Sequence, residues 1–532
     1  MRVRRRAAPA LLALAALACC GLFAANSLFR VRTFTADSMN YVDVARRIAA
    51  GDGLVQSTGG FNQPFYLSGD LDLPAAFTAQ PPGYPLAITF VSRFGVNAAD
   101  AALVVSALAY TAILGLVYLL GQRIGGTRAG IVALGGALVF VPLAHLGRSA
   151  LSECLAVSVV LLFFLLVERY RVSSCGHPLL AVLGLGLLAG TAFSVRYALW
   201  PLSLVGFAAL WLTRADRSGP RVAGPYDSAA FAAGALAPMA AILARNVAVE
   251  GGLLPAAMPA VRSLGENLSL AVTALLGGWR STTVGNWLDA VLLIVALSIL
   301  VALAARDRAS SLPWRRLPLL IGVWAFLYLT AVVWRGTQAN FDPIGARLAL
   351  PATVPLIPVF GALLAGALPR ERRFAWLPAA LLVLCAGAAF TREASLWSSG
   401  RDARALEFRS ERQQWLRDHT GPGDLVVGGG TMDVPFLFSG RFAISYAGLP
   451  YTEVLTYPTL ERVADRHCPD FDRLLLVVRP TVQLGGTRSD EDPSNWLGPF
   501  IADIRAGHHE PYPLLEPLAA LNEARIYNVT CS

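Results

Sequence analysis

The chain is predicted to be a polytopic α-helical membrane protein carrying a C-terminal α/β domain. Composition is the first reason: 55% of its 532 residues are hydrophobic and 15% charged, with a mean hydropathy of +0.54. The second is that the apolar residues fall in runs close to the ~20 needed to cross a bilayer. The third is that arginines cluster in short segments between those runs, as the positive-inside rule expects. No lysine occurs, so arginine supplies all the positive charge. The net charge of +9 therefore reads as membrane topology and not as a nucleic-acid surface.

The start MRVRRR places the N-terminus in the cytoplasm, through Arg2, Arg4, Arg5 and Arg6. Residues 8–28 form the first span, left uncleaved because no small-x-small site precedes the polar stretch. Residues 29–98 then lie outside. Later spans are expected at 100–121, 129–146 and 151–167. The run 178–213 is too long for one span and contains Arg196, so it divides into two with SVRY at the outer turn. Further spans follow at 228–244, 287–305, 317–334, 348–368 and 374–391. LSLAVTALLGGW is too short to cross and suits the interface. The total is about eleven, which leaves the C-terminus outside.

Domain organisation follows: 1–394 is a transmembrane domain, and 395–532 is an extracytoplasmic soluble α/β domain. Residues 404–419 read as an amphipathic helix, stopped by Gly421-Pro422-Gly423-Asp424. LVVGGG and FDRLLLVVRP read as buried strands, and FLFSGRFAISY as a pair of elements around Gly440. Cys154 and Cys385 read as small buried hydrophobes. Cys468 and Cys531 can form a disulfide if this segment is outside the cytoplasm; their spacing alone does not decide it.

The first outer loop carries the leading candidate for chemistry. Thr35-Ala36-Asp37-Ser38 opens a helical pattern with Tyr41, Val44, Ala45 and Ile48 on one face, closed by Gly51-Asp52-Gly53. A carboxylate near a helix N-terminus stays ionised, able to take a proton or to hold a divalent metal. The plain alternative is that Asp37 caps the helix. Gln80-Pro81-Pro82-Gly83-Tyr84-Pro85 is a stiff turn that would fix Gln80 and Tyr84 near the membrane surface. Tyr84 suits a binding role or an interfacial anchor equally. Ser152-Glu153 stands at a span boundary, where an acid faces a cavity or completes a helix start. Arg196, Arg245 and Arg347 sit at expected outer surfaces, against the topology trend. Arginine presents a planar fork that matches phosphate oxygens; its alternatives are snorkelling or internal pairing, such as Arg347 with Asp342. Several such arginines on one face would make a phosphate site. His145 reads as structural, and His467, His508 and His509 have no metal-ligand spacing.

These pieces in this order resemble the GT-C superfamily of membrane glycosyltransferases, including its protein mannosyltransferase and aminoarabinose transferase relatives. The pieces are DSMNYVDVARRIAAGDGL, QPPGYPL, GRSALSECL, Arg196 after an Ala/Gly-rich span, Arg245-Asn246, and ARLALPATVP opening a late span. The resemblance covers roughly residues 10–390. WLRDHTGPGDLVV with FLFSGR is similar to the C-terminal outer domains of bacterial relatives.

What the resemblance implies is a polytopic enzyme of the cytoplasmic membrane. It would transfer a sugar from a polyprenyl-phosphate donor, with inversion, to an acceptor glycan, lipid or protein at the outer face. By resemblance Asp37 is the general base and Glu153 a second acid. Arg196 and Arg347 hold the donor phosphate, with Tyr41, Gln80, Tyr84 and Arg245 as further substrate-binding candidates. Many relatives carry a second acid after the first, where this chain has Ser38, and a histidine before Pro-Pro, where it has Gln80. Both departures remove ligands from any divalent metal site.

Two other classes compete. A transporter of a lipid-linked substrate would show broken helices in corresponding positions of two halves, and no such repetition is present. A membrane anchor for a functional C-terminal domain would not need eleven spans.

Overall fold

The computed structural model describes residues 21–26, 28, 32–59, 73–172, 178–214, 225–254, 260, 262–277, 316–339, 343–367, 376–398, 410–428, 433–445, 456–478, 494–522 and 524–531. In chain order the helices are α1 (Ala36–Ala50), α2 (Gly83–Ser92), α3 (Ala98–Val139), α4 (Val141–Gly147), α5 (Glu153–Val172), α6 (Pro178–Val195), α7 (Pro201–Arg214) and α8 (Pro225–Glu250). They continue as α9 (Leu264–Gly277), α10 (Arg316–Gly336), α11 (Ala346–Ala367), α12 (Leu377–Ser398), α13 (Glu411–His419), α14 (Asp433–Leu437), α15 (Tyr457–His467) and α16 (Ser494–Ala506). The strands are β1 (Val55–Gln56), β2 (Thr58–Gly59), β3 (Ala75–Ala76), β4 (Asp424–Gly428), β5 (Phe442–Ser445), β6 (Arg473–Val478), β7 (Leu515–Ala520) and β8 (Arg525–Val529).

The chain divides into two compact units. The first comprises residues 1–32, 103–245 and 259–401; the second comprises 33–102, 246–258 and 402–532. β2 hydrogen-bonds in parallel to β5, which brings Thr58 and Gly59 into the sheet of the C-terminal segment.

The first unit is helical. α5 packs on α6 and α11, α11 on α10, and α10 on α7. Expected spans 100–121 and 129–146 share α3, which reverses at Gly125 and Gly126 (φ +80°). The two arms then lie so close that a methyl group at Gly130 would stand 2.8 Å from the Tyr118 carbonyl. α6 and α8 cross with the same intimacy: a Cβ at Gly190 would meet the Ala235 carbonyl at 2.3 Å. Such small-residue contacts let apolar helices gain dispersion energy where lipid supplies no hydrophobic drive. α11 contains Pro351, Pro355 and Pro358. Pro355 has no N–H for the Pro351 carbonyl, and Trp324 Nε1 of α10 supplies the missing donor at 2.9 Å.

Among the described residues, five helices (within α3, α8, α10, α11 and α12) are long and apolar enough to cross a membrane, by length and composition. The expected eleven exceeds this. Residues 287–305 and most of 8–28 lie outside the described residues, and the apolar stretches 179–195 and 197–211 are shorter helices.

The second unit is built on a six-stranded mixed sheet of order β2-β5-β4-β6-β8-β7. β2, β5, β4 and β6 run parallel, and β8 and β7 antiparallel. β4 is buried along its whole length, as the unbroken apolar run LVV requires when both sheet faces are covered. One face packs Leu425, Val427, Leu474 and Leu476 against Leu460 and Val463 of α15 and Ile501 and Ile504 of α16. Cys468, after α15, is bonded to Cys531, after β8. Of the expected helix 404–419, residues 411–419 are helical and 401–409 lie outside the described residues.

Candidate active site

Asp37 is held on α1 of the second unit. Thr35 is the N-cap of this helix: its hydroxyl accepts from Ser38 N, and Ser38 Oγ accepts from Thr35 N at 3.0 Å. This reciprocal box does the capping, so Asp37 is not the cap. Ser38, which stands where relatives carry a second acid, is fully buried in that box. Gly51 ends the helix at φ +94°, a conformation that suits glycine.

Asp37 Oδ1 accepts a hydrogen bond from Gln80 Nε2 at 2.6 Å. Gln80 precedes Pro81-Pro82, and α2 begins at Gly83, so the turn orients the amide toward the acid. Two further ties fix α1. Asp43 is buried and accepts from Ser57 N at 2.5 Å and Ser57 Oγ at 2.8 Å. Burial pushes its carboxyl above the usual range, opposed by the Ser57 hydrogen bonds and by Arg47 and Arg46. Arg46 donates to the Pro435 and Phe436 carbonyls at 3.0 and 2.6 Å, which ties α1 to α14.

Tyr41 and Tyr84, expected as substrate-binding candidates, are both buried. Tyr84 is fully buried, and its hydroxyl donates to the Ala102 carbonyl at 2.8 Å. Tyr41 stacks edge-on against it, with ring centroids 5.0 Å apart. Aromatic rings at helical spacing fit a packed core as well as a binding wall, and the sequence alone does not separate the two.

The helical unit assembles the second group. Glu153 begins α5, where the helix dipole favours an acid. Arg196 is in extended conformation (φ −157°, ψ 122°) between α6 and a short 3-10 turn at Tyr197–Leu199, which is the break expected at SVRY. Arg347 lies in the first turn of α11. Arg196 NH1 donates to Glu153 Oε1 at 2.6 Å, and Arg347 Nε donates to the same oxygen. Glu153 Oε2 is buried without a hydrogen-bond partner. The Glu153 side chain has no exposure, whereas Arg196 and Arg347 retain 13% and 26%. The carboxylate is thus the floor and the guanidiniums the accessible layer. Tyr328 lies beside Arg196 and donates to the Leu348 carbonyl at 2.9 Å.

Arg245 sits half-buried in the body of α8. Asp342, the alternative partner for Arg347, lies outside the described residues. Sequence reasoning missed a second buried group, in which Arg148 donates to Glu393 at 2.6 Å. Its signal was present: Arg392-Glu393 is a charged pair just past the expected span 374–391.

Among the described residues no three His, Cys, Asp or Glu side chains gather as metal ligands. Asp37 receives an amide N–H, a donor that competes with a cation for the same oxygen. Among the described residues the donor set around Asp37 does not fit a metal centre.

No family model matches the chain, and no curated protein matches it by sequence. Solved structures do. The likeness is one of fold, to two structures of ArnT. ArnT from Cupriavidus metallidurans in the apo state superposes with a TM-score of 0.59 at 13% identity, covering 99% of both chains. The same protein bound to undecaprenyl phosphate gives 0.58 at 12% identity, covering 98% of both.

Proposed function

We propose that the protein is an inverting glycosyltransferase that moves a sugar from a polyprenyl-phosphate donor to an acceptor hydroxyl at the outer face of the cytoplasmic membrane. The observation that carries this reading is the pair of partly exposed guanidiniums gathered over one buried carboxylate. It is supported by the GT-C fold and by the undecaprenyl phosphate bound to ArnT. The Cys468–Cys531 disulfide supports an oxidising compartment for the second unit.

In the proposed reaction Asp37 takes the proton of the acceptor hydroxyl as that oxygen attacks the anomeric carbon. The bond from that carbon to the phosphate oxygen breaks, and its electron pair stays on phosphate. Arg196 and Arg347 neutralise the charge that accumulates there. A single base suffices for inversion, so no second nucleophilic carboxylate is required. Gln80 orients the Asp37 carboxylate. Glu153, expected to be a second acid, acts instead through its arginines, since a fully buried side chain does not meet an acceptor.

The test is sugar transfer by purified protein in detergent, where transport has no meaning. Asp37→Asn should lower transfer from a lipid-linked sugar by about 10³-fold or more, within the range of general-base catalysis plus correct proton placement, with folding unchanged. Full activity in that variant removes Asp37 as the base. Absence of any transfer by the native chain across lipid-phosphate sugars favours the transporter class.

A further inference from the structure

We propose that Glu153 is an internal counter-anion, a positioning residue that limits how tightly the two arginines hold the phosphate product and so sets its release. The inference rests on the reading of Arg196 and Arg347 as the phosphate site.

The charge change during transfer makes such a residue useful. The donor is a phosphodiester with one negative charge. Once the sugar leaves with the acceptor oxygen, the lipid phosphate is a monoester carrying −1.5 to −2 at neutral pH. Guanidiniums that stabilise the developing charge also bind the product more tightly than the donor, and that slows turnover. A fixed negative charge beneath them lowers the potential of the site by one unit, whatever other groups surround it. Glu153 supplies that charge from the buried side, so it does not obstruct the accessible side of either arginine.

The hydrogen-bond pattern isolates this role from mere scaffolding. Both arginines use Oε1, and Oε2 is unpartnered. Glutamine at 153 can keep its carbonyl oxygen at the Oε1 position and turn its amide to the Oε2 position. Glu153→Gln therefore removes the charge while keeping both arginine contacts.

The experiment measures binding of farnesyl phosphate, and of its methyl diester, to the purified full chain in detergent. Glu153→Gln should tighten the monoester by about tenfold or more, as one unit of charge at short range predicts, and the diester by less. In a transfer assay kcat and KM should fall together, with a burst of first turnover and an unchanged pH profile. Monoester binding that is equal or weaker in Glu153→Gln overturns the inference, as does a native monoester-to-diester preference above about a hundredfold. Should the variant fail to fold, that native ratio still decides. Arg196→Gln and Arg347→Gln should lose monoester affinity. If they bind like the native chain, or the native chain binds neither probe, the phosphate-site reading itself fails. If they lose affinity and Glu153→Gln does not gain it, only the counter-anion role falls.

Discussion

Two buried glutamates in the helical unit each collect two arginines on one carboxylate oxygen, but they are finished differently. Glu393 Oε1 accepts from Arg148 at 2.6 Å and Arg392 at 3.2 Å. Its Oε2 accepts from Asn26 Nδ2 at 2.9 Å, and the same amide also donates to the Glu393 backbone carbonyl at 2.8 Å. The Arg148 guanidinium lies over the Phe23 ring, 5.6 Å from its centroid. Glu153 has the same two-arginine arrangement but no third donor, and its Oε2 stays unpartnered. The cluster completed by asparagine and an aromatic ring ties α12 to Asn26 and to the residue following α4. The incomplete one joins three helices whose arginines remain accessible. Equal charge counts thus build a closed lock in one place and a pair of accessible guanidiniums in the other, and the third donor is what separates them.

The largest expected effect comes from making the same substitution at both. In Glu393→Gln the new amide must face either the arginines or Asn26 Nδ2, because both oxygens already accept. Asn26 cannot turn to receive it without losing its bond to the Glu393 carbonyl. The result is a buried, uncompensated arginine, and the cost should be about 3 kcal/mol, read as a drop in thermal stability of the full chain in detergent. Glu153→Gln should cost less by the same measurement, about 1–2 kcal/mol, because both arginine contacts survive and only the new amide lacks an acceptor. Equal destabilisation would erase the distinction between lock and surface. A smaller effect is expected from Asn26→Leu, which strands Glu393 Oε2 and a backbone carbonyl. About 2 kcal/mol is expected from two lost acceptor partners, with sugar transfer by the remaining folded protein unchanged.

Much of this was legible in the sequence, for physical reasons that differ by element. The helix from Ala36 to Ala50 follows from apolar spacing and a terminal glycine, both local signals. The break at Arg196 follows from a run too long for one span with a charge at its middle. Glu153 and Arg347 were legible as costly charges at span boundaries. Their convergence was not, because pairing across helices depends on packing that no local pattern encodes. The same limit hid Asn26, Arg148 and Glu393. It also hid β2, a two-residue strand whose partner β5 lies far along the chain. The Cys468–Cys531 bond was left open for a related reason, since spacing does not report proximity. The burial of Tyr41 and Tyr84 is likewise not legible locally, because an aromatic residue beside a stiff turn fits a wall and a core equally well.

The smallest stability effect should come from the outer arginine of each cluster, and it sharpens the comparison most. Arg392 keeps 21% side-chain exposure and a 3.2 Å contact to Glu393; Arg347 keeps 26%. Partly exposed pairs of this kind contribute up to ~1 kcal/mol. Arg392→Gln and Arg347→Gln should therefore shift thermal unfolding by similar, small amounts. Their functional consequences should diverge. Arg392 completes a group whose carboxylate is already satisfied by Arg148 and Asn26, so its loss should leave transfer within about twofold of native, less than one weak hydrogen bond is worth. Arg347 is proposed to meet the departing phosphate, and losing a charge-assisted contact there should cost about 10²-fold or more in kcat/KM. Comparable losses of transfer at both positions would mean that the two clusters share one task, and the structural difference at Oε2 would then carry no functional meaning.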